Sequence, residues 1–416
     1  MSKPMIHSND GIFYIENVPV KKITEDYGTP AYVYSKQLII DTFHSFRNSF
    51  KQFDPLVCFA VKANSNIAIL NLLAEQGAGF DIVSEGELKR VIAAHGDPRK
   101  VVFSGIGKSI NEISFAINHN ILAFNVESEG ELRRIQSVAK SLNKKASISI
   151  RVNPNVDAKT HPYISTGLKD NKFGVDENKS VELYCLAKDM DAIEIKGIDC
   201  HIGSQITDIN PFIDSTKKLV ALIDHLKTLD IHIEHIDIGG GLGINYNDEL
   251  PPTFLEYAEA MSHVIGTRKL KVIFEPGRSL IGKAGVLLTN VEYIKEGPNK
   301  NFAIIDAAMN DLMRPSLYDA YHEIINIDAH QCIRKKYDIV GPVCETGDFL
   351  GKERLLAIKD NDTLAVLDTG AYGMSMSSNY NSRPRAIELM VDDETVHVIR
   401  ERENFEHLIF GESLLP

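Results

Sequence analysis

Between about residues 35 and 280, short apolar runs alternate with longer amphipathic stretches. Runs suited to buried parallel strands occupy 56–61, 80–83, 101–103, 122–126, 147–152, 197–201, 235–238 and 271–274. Strands covered on both faces read as continuous apolar runs rather than as alternation. Each run is followed by a helical pattern, as at 67–76 and 85–94. In 211–229, Phe212, Leu219, Leu222, Ile223 and Leu226 recur at helical spacing. Ser84-Glu85-Gly86-Glu87-Leu88 recurs as Ser128-Glu129-Gly130-Glu131-Leu132. A Ser three residues before a Glu predicts a capping box, here at a helix start directly after a strand.

Eight strand–helix units over about 245 residues match the size of a (β/α)8 barrel. A doubly wound open sheet is the alternative, and it gathers ligands mainly at one switch point. The chemistry-bearing residues stand instead at the ends of many runs: Lys62, Asp81, Arg151, His201, Gly239 to Gly241 and Glu275. That spread favours the barrel. Past residue 281 the runs at 302–306, 337–340, 363–367, 386–390 and 395–400 come without long helices between them. They predict a mostly antiparallel β domain. Residues 1–34 read as strand and turn and are expected to join it. The expected organisation is a barrel over 35–280 inserted in a β domain made of 1–34 and 281–416.

Composition narrows the class. Hydrophobic residues make up 44% and charged residues 25%, ordinary for a globular protein. The net charge is -12 with no basic block, which argues against nucleic acid and anionic membranes as partners. The first ten residues hold no apolar core of a signal peptide, and no apolar run is long enough to span a bilayer. The five cysteines form no Cys-x-x-Cys pair, so neither a disulfide framework nor a zinc site is expected. A cytoplasmic location follows as an expectation.

The candidate chemistry starts at Lys62, in Phe59-Ala60-Val61-Lys62-Ala63-Asn64, just after the first strand. Far downstream lie two phosphate-cradle candidates, Gly239-Gly240-Gly241-Leu242-Gly243 and Glu275-Pro276-Gly277-Arg278. Backbone N–H groups of glycines can close on phosphate oxygens. An amine that meets a phosphate ester points to pyridoxal 5'-phosphate, a carbanion electron sink usually tethered to a lysine. A carboxylate such as Glu275 facing a pyridine nitrogen would keep it protonated. Arg278 suits bidentate binding of carboxylate or phosphate. His201 can stack on a cofactor ring, and Ser204 can hydrogen-bond its phosphate. A plain Gly-rich turn, a surface ion pair and a structural histidine remain the alternatives for these segments taken singly. Cys344-Glu345-Thr346-Gly347-Asp348 offers a thiol proton donor and a carboxylate for an ammonium group, or else a buried inert cysteine. Arg314 and Tyr318, four apart, would share a helical face and receive a carboxylate, or form an amphipathic rim.

Taken together, and in this order, these segments resemble the pyridoxal-phosphate decarboxylases of the alanine-racemase-like barrel class. The resemblance runs from Tyr27-Gly28-Thr29-Pro30 to Ser377-Ser378-Asn379-Tyr380-Asn381. It is strongest to the members that convert meso-2,6-diaminopimelate to L-lysine and carbon dioxide. It implies that Lys62 carries the cofactor and His201 stacks on it. The Gly loop and the backbone after Glu275 would hold the phosphate, helped by Tyr372. Arg278, Arg314 and Tyr318 would bind substrate carboxylates, and Glu345 the amine. Cys344 would donate the proton from the other subunit of a head-to-tail homodimer with composite sites. Thr346 stands where a Ser is expected. Decarboxylation of ornithine or arginine on the same fold is the runner-up. It would be expected to put an acid, not Arg314, at the distal end of the substrate. A racemase, a regulatory relative and a cofactor-free lysine aldolase are weaker alternatives.

Overall fold

The computed structural model describes residues 4–157, 167, 172–328 and 332–416. The chain divides into two compact units. One comprises Met1–Thr42, Tyr246–Asp248 and Ile281–Pro416, the other Phe43–Asn245 and Glu249–Leu280.

The second unit is a closed barrel of eight parallel strands. They are β1 (Leu56–Ala60), β2 (Gly79–Ile82), β3 (Val101–Phe103), β4 (Ala123–Val126), β5 (Ala146–Arg151), β6 (Ile193–Asp199), β7 (His235–Asp237) and β8 (Lys271–Phe274). Closure is made where Ile273 of β8 registers with Leu56 of β1. The continuous apolar runs are continuous because both strand faces are covered: β1 to β4 are buried at every position. Leu56, Cys58, Val102 and Ile273 pack together, with Leu122 against them. Outside β8, Phe50 lies 4.1 Å from Phe274 between ring centroids, and Phe46 and Tyr257 meet Phe274 edge-on. Such aromatic pairs add about 0.5–1.5 kcal/mol each beyond their burial.

Helices follow the strands where the spacing predicts them, including Ile67–Glu75, Glu85–Ala93 and Asn210–Thr228. The repeated Ser-Glu-Gly-Glu segments differ from expectation. Ser84 and Ser128 do cap the N–H groups of Glu87 and Glu131. The glutamates reach one residue too far back, to the N–H groups of Val83 and Glu127, so the boxes are not reciprocal. Glu131 is also held by a buried Lys108 at 2.7 Å, which draws it off the cap. Reciprocal boxes form instead at Ser109/Glu112 and Thr253/Glu256.

The first unit carries a three-stranded N-terminal sheet and a nine-stranded mixed sheet. The order in the latter is Phe349–Leu356, Lys335–Val340, Asn301–Ile305, Gly285–Glu296, Ala31–Ser35, Ile387–Asp392 and Thr395–Arg400. Thr363–Val366 pairs with Gly285–Glu296 and with Ile324–Asn326. Most pairings are antiparallel; Asn301–Ile305 with Lys335–Val340 and Ala31–Ser35 with Ile387–Asp392 are parallel. The N-terminal residues are not only strand and turn, because the helix Val20–Tyr27 buries Val20 and Ile23. The long strand Gly285–Glu296 escaped the pattern because its first half is buried on both faces and its second half is exposed. No helix among the described residues is long and apolar enough to cross a membrane.

Candidate active site

The ends of the barrel strands are stitched together beyond the strands themselves. The Cys200 N–H donates to Asp237 O, Ile238 N–H to Ile273 O, Glu275 N–H to Gly239 O, and Ala60 N–H to Pro276 O. These bonds fix the segments after β6, β7, β8 and β1 as one rim. The Gly run is demanded by this crowding. A Cβ on Gly240 would lie 2.1 Å from Glu275 O, and one on Gly241 would lie 2.4 Å from Gly203 O. Gly239 and Gly241 also hold φ of +68° and +104°, backbone that favours glycine. The glycines are therefore required by close packing against neighbouring backbone, and the Gly239 and Gly240 N–H groups donate to Asp237 and His201.

Lys62 sits one residue past the 3-10 start after β1 and pairs with the fully buried Asp81 of β2. Arg151, at the end of β5 and 6% exposed, donates to Glu127 at 3.1 Å and lies 3.9 Å from Asp199. His201 lies two residues past the end of β6, not on the strand; its Nδ1 accepts the Gly240 N–H at 3.2 Å. Burial, helped by the Arg151 and Lys62 charges, pushes the imidazole well below its ordinary pKa, so it is a neutral ring. Arg278 donates to Ser204 Oγ at 3.0 Å.

Glu275 is 4% exposed. It accepts from Ser104 Oγ and Asn125 Nδ2, both at 3.3 Å. Burial first, then the charges of Asp237, Asp81 and Asp199, raise its pKa well above the carboxylate range, with Lys62 opposing. Among the described residues no cation pairs with it. A protonated pyridine nitrogen would supply that missing cation. The residues present thus fit pyridoxal phosphate: an amine, a neutral ring, a glycine cradle with Arg278 and Ser204, and an acid without a counter-charge.

Sequence reasoning missed five members of this cluster: Ser104, Asn125, Glu127, Asp199 and Asp237. The last three are carboxylates at or just past the ends of β4, β6 and β7. The strand-end rule that selected Asp81 would have selected them too.

The other candidates belong to the first unit. Arg314 and Tyr318 open and close one helix, Arg314–Tyr318. Arg314 is 5% exposed. Its Nη1 lies 2.8 Å from His322 Nε2, and its guanidinium stacks 4.6 Å from the Tyr246 ring centroid. His322 Nδ1 contacts Leu367 O at 2.8 Å. Nδ1 is therefore the donor and Nε2 the acceptor that faces the guanidinium. Tyr372 is partly buried with φ of +57°.

Cys344 and Glu345 are both exposed, which removes the buried-cysteine alternative. Their loop is anchored by Asp348, which accepts the Met309 and Val343 N–H groups at 2.7 Å each. Tyr380 donates its hydroxyl to Glu345, and Asn381 Oδ1 accepts the Cys344 N–H at 3.1 Å. Asn381 and Ser382 both hold positive φ, a conformation costly for residues other than glycine.

Comparison with known proteins agrees with this chemistry. Residues 36–282 match the family model described as the pyridoxal-binding domain of pyridoxal-dependent decarboxylases. The chain is 54% identical over 411 residues to a diaminopimelate decarboxylase of Vibrio cholerae, covering 99% of each. It is 51% identical to that of Pseudomonas aeruginosa, covering 98% of each. Among solved structures, a diaminopimelate decarboxylase of M. jannaschii superposes with a TM-score of 0.95 at 41% identity, covering 99% of this chain and 98% of the other. One from Helicobacter pylori, complexed with L-lysine, gives 0.91 at 44% identity, covering 94% and 98%. The chain therefore belongs to the diaminopimelate decarboxylase family of pyridoxal-dependent enzymes.

Proposed function

We propose that this chain decarboxylates meso-2,6-diaminopimelate to L-lysine and carbon dioxide with pyridoxal 5'-phosphate, the last step of lysine biosynthesis. The observation that carries this reading is identity above 50% to diaminopimelate decarboxylases over 98–99% of the chain. When bound, the cofactor accepts the electron pair released with carbon dioxide. Lys62 would tether it. Asp81 would take up the lysine charge while substrate occupies the cofactor. Glu275 holds the ring nitrogen protonated, while Ser104 and Asn125 fix the carboxylate that does so. Gly239, Gly240, Gly241, Gly277, Arg278, Ser204 and Tyr372 would hold the phosphate, and His201 would stack on the ring.

At the distal end of the substrate, Arg278, Arg314 and Tyr318 receive carboxylate and Glu345 receives the amine. Arg314 favours this substrate over ornithine or arginine. A buried guanidinium facing a cationic tail would cost several kcal/mol in repulsion and desolvation. Cys344 returns the proton to the α-carbon. Its exposure in a single chain supports a homodimer in which it serves the partner's site. A cytoplasmic location fits the net charge and the absence of a membrane-crossing helix among the described residues.

The test is carbon dioxide release from purified protein with pyridoxal phosphate, comparing meso-diaminopimelate, L-ornithine, L-arginine and L-lysine. Release from diaminopimelate alone, with lysine formed, is expected. Release from ornithine or arginine would overturn the substrate.

A further inference from the structure

The carboxyl groups around Glu275 outnumber the cations that face them. Asp199, Asp237 and Glu275 are all buried, and one oxygen of each lies within 4.8 Å of the others. Asp81 and Glu127 extend the group, while the facing cations are Lys62 and Arg151. Five acids thus meet two cations, or three once a protonated pyridine is bound. The other titratable groups packed on Asp237 are Cys58, Cys200 and Tyr257, each held in its neutral form by burial. His201 is neutral as well.

The cations can be assigned. Lys62 belongs to Asp81. Arg151 belongs to Glu127 at 3.1 Å and to Asp199 at 3.9 Å. Glu127 has a further donor in the Gly174 N–H at 2.9 Å. The pyridine nitrogen belongs to Glu275. Asp237 is left with no cation among the described residues. Its Oδ1 accepts the Gly239 N–H at 2.9 Å. Its Oδ2 is buried and finds no donor, although Asp237 and Glu275 are within hydrogen-bonding reach of each other. Two buried carboxylate oxygens meet stably only if a proton lies between them.

We infer that Asp237 is a positioning residue that carries the proton it shares with Glu275 once the ring nitrogen draws Glu275 into its anionic form. Through Oδ2–H it donates to Glu275, and through Oδ1 it holds Gly239 of the phosphate cradle. With Ser104 and Asn125 it makes a third donor to Glu275 and keeps that carboxylate anionic for the ring nitrogen. One side chain thereby couples the seat of the ring to the seat of the phosphate. Burial, reinforced by Asp81, pushes Asp237 up to about 7 against the pull of the Gly239 N–H, the Glu275 hydrogen bond and the Arg151 charge. This inference rests on the pyridoxal phosphate assignment, but its first test does not use the cofactor.

A folded-state pKa above the unfolded value near 4 means that the folded chain binds more protons than the unfolded chain between those limits. The contribution of Asp237 to stability is full below about pH 4 and is lost as pH rises through about 7. Asp237→Asn mimics the protonated acid in shape, donor and acceptor; Asp237→Ala removes all three. The first measurement is the thermal midpoint of the cofactor-free protein from pH 5 to 8, for wild type and Asp237→Asn. The wild type is expected to lose stability more steeply with rising pH, by up to one proton. The second is cofactor affinity read from its absorbance. Asp237→Ala is expected to weaken it at least tenfold more than Asp237→Asn does. Equal pH slopes, or equal losses of affinity, would each overturn the proposal. A failure of the substrate assignment would leave the cofactor-free measurement unaffected.

Discussion

The barrel strand ends and the Cys344-Glu345 loop prepare for chemistry in opposite ways. At the strand ends Asp81, Arg151, Asp237 and Glu275 are no more than 6% exposed, and each is held by partners on neighbouring strands or loops. The loop leaves its thiol and carboxylate exposed and holds them through Tyr380, Asn381 and Asp348. A buried charge array is strong because water does not screen it, and it is costly because every unmatched charge must be neutralised. The exposed loop carries no such cost, but gains its electrostatic strength only when something covers it. The barrel thus suits a held cofactor, whereas the loop would gain such strength only against a second surface.

The largest expected effect comes from the barrel side. Lys62→Ala should remove the cofactor's absorbance near the visible edge and lower kcat by about 10^3-fold or more. Spectrophotometry and a rate assay check both. Phe274→Ala comes next. Phe274 precedes Glu275 and is fully buried among Phe46, Phe50 and Tyr257. Its loss should cost about 3–5 kcal/mol of stability by denaturant titration, and cofactor affinity should fall with it. The smallest effect should be that of Tyr380→Phe, which frees Glu345 without touching the barrel. KM for diaminopimelate should rise several-fold, with cofactor affinity and thermal midpoint unchanged. A change in cofactor affinity there would erase the contrast between the two regions.

Much of the barrel was legible because doubly covered strands leave unbroken apolar runs and because Lys62, the Gly run and Glu275 fall where those runs end. The neutralising partners were not. Asp199 and Asp237 stand at strand ends as Asp81 does near its own, but their meeting with Glu275 depends on barrel closure. Tyr246 comes from a distant stretch of chain to meet Arg314 and His322, which no local spacing encodes. The clasp of Tyr380 and Asn381 on the loop depends on left-handed backbone at Asn381 and Ser382. Conversely, Gly285–Glu296 hid its period because its two halves lie in different environments.

The most direct test of a site made from a buried half and an exposed half is complementation between two inactive variants. Lys62→Ala lacks only the cofactor tether, and Cys344→Ala lacks only the proton donor. If Cys344 serves the partner's barrel, mixing the two should form heterodimers with one intact site. Equal mixing would then return about a quarter of wild-type activity, since half of the dimers are mixed and half of their sites are whole. Activity no higher than that of either variant alone, in a mixture shown to exchange subunits, would contradict the account.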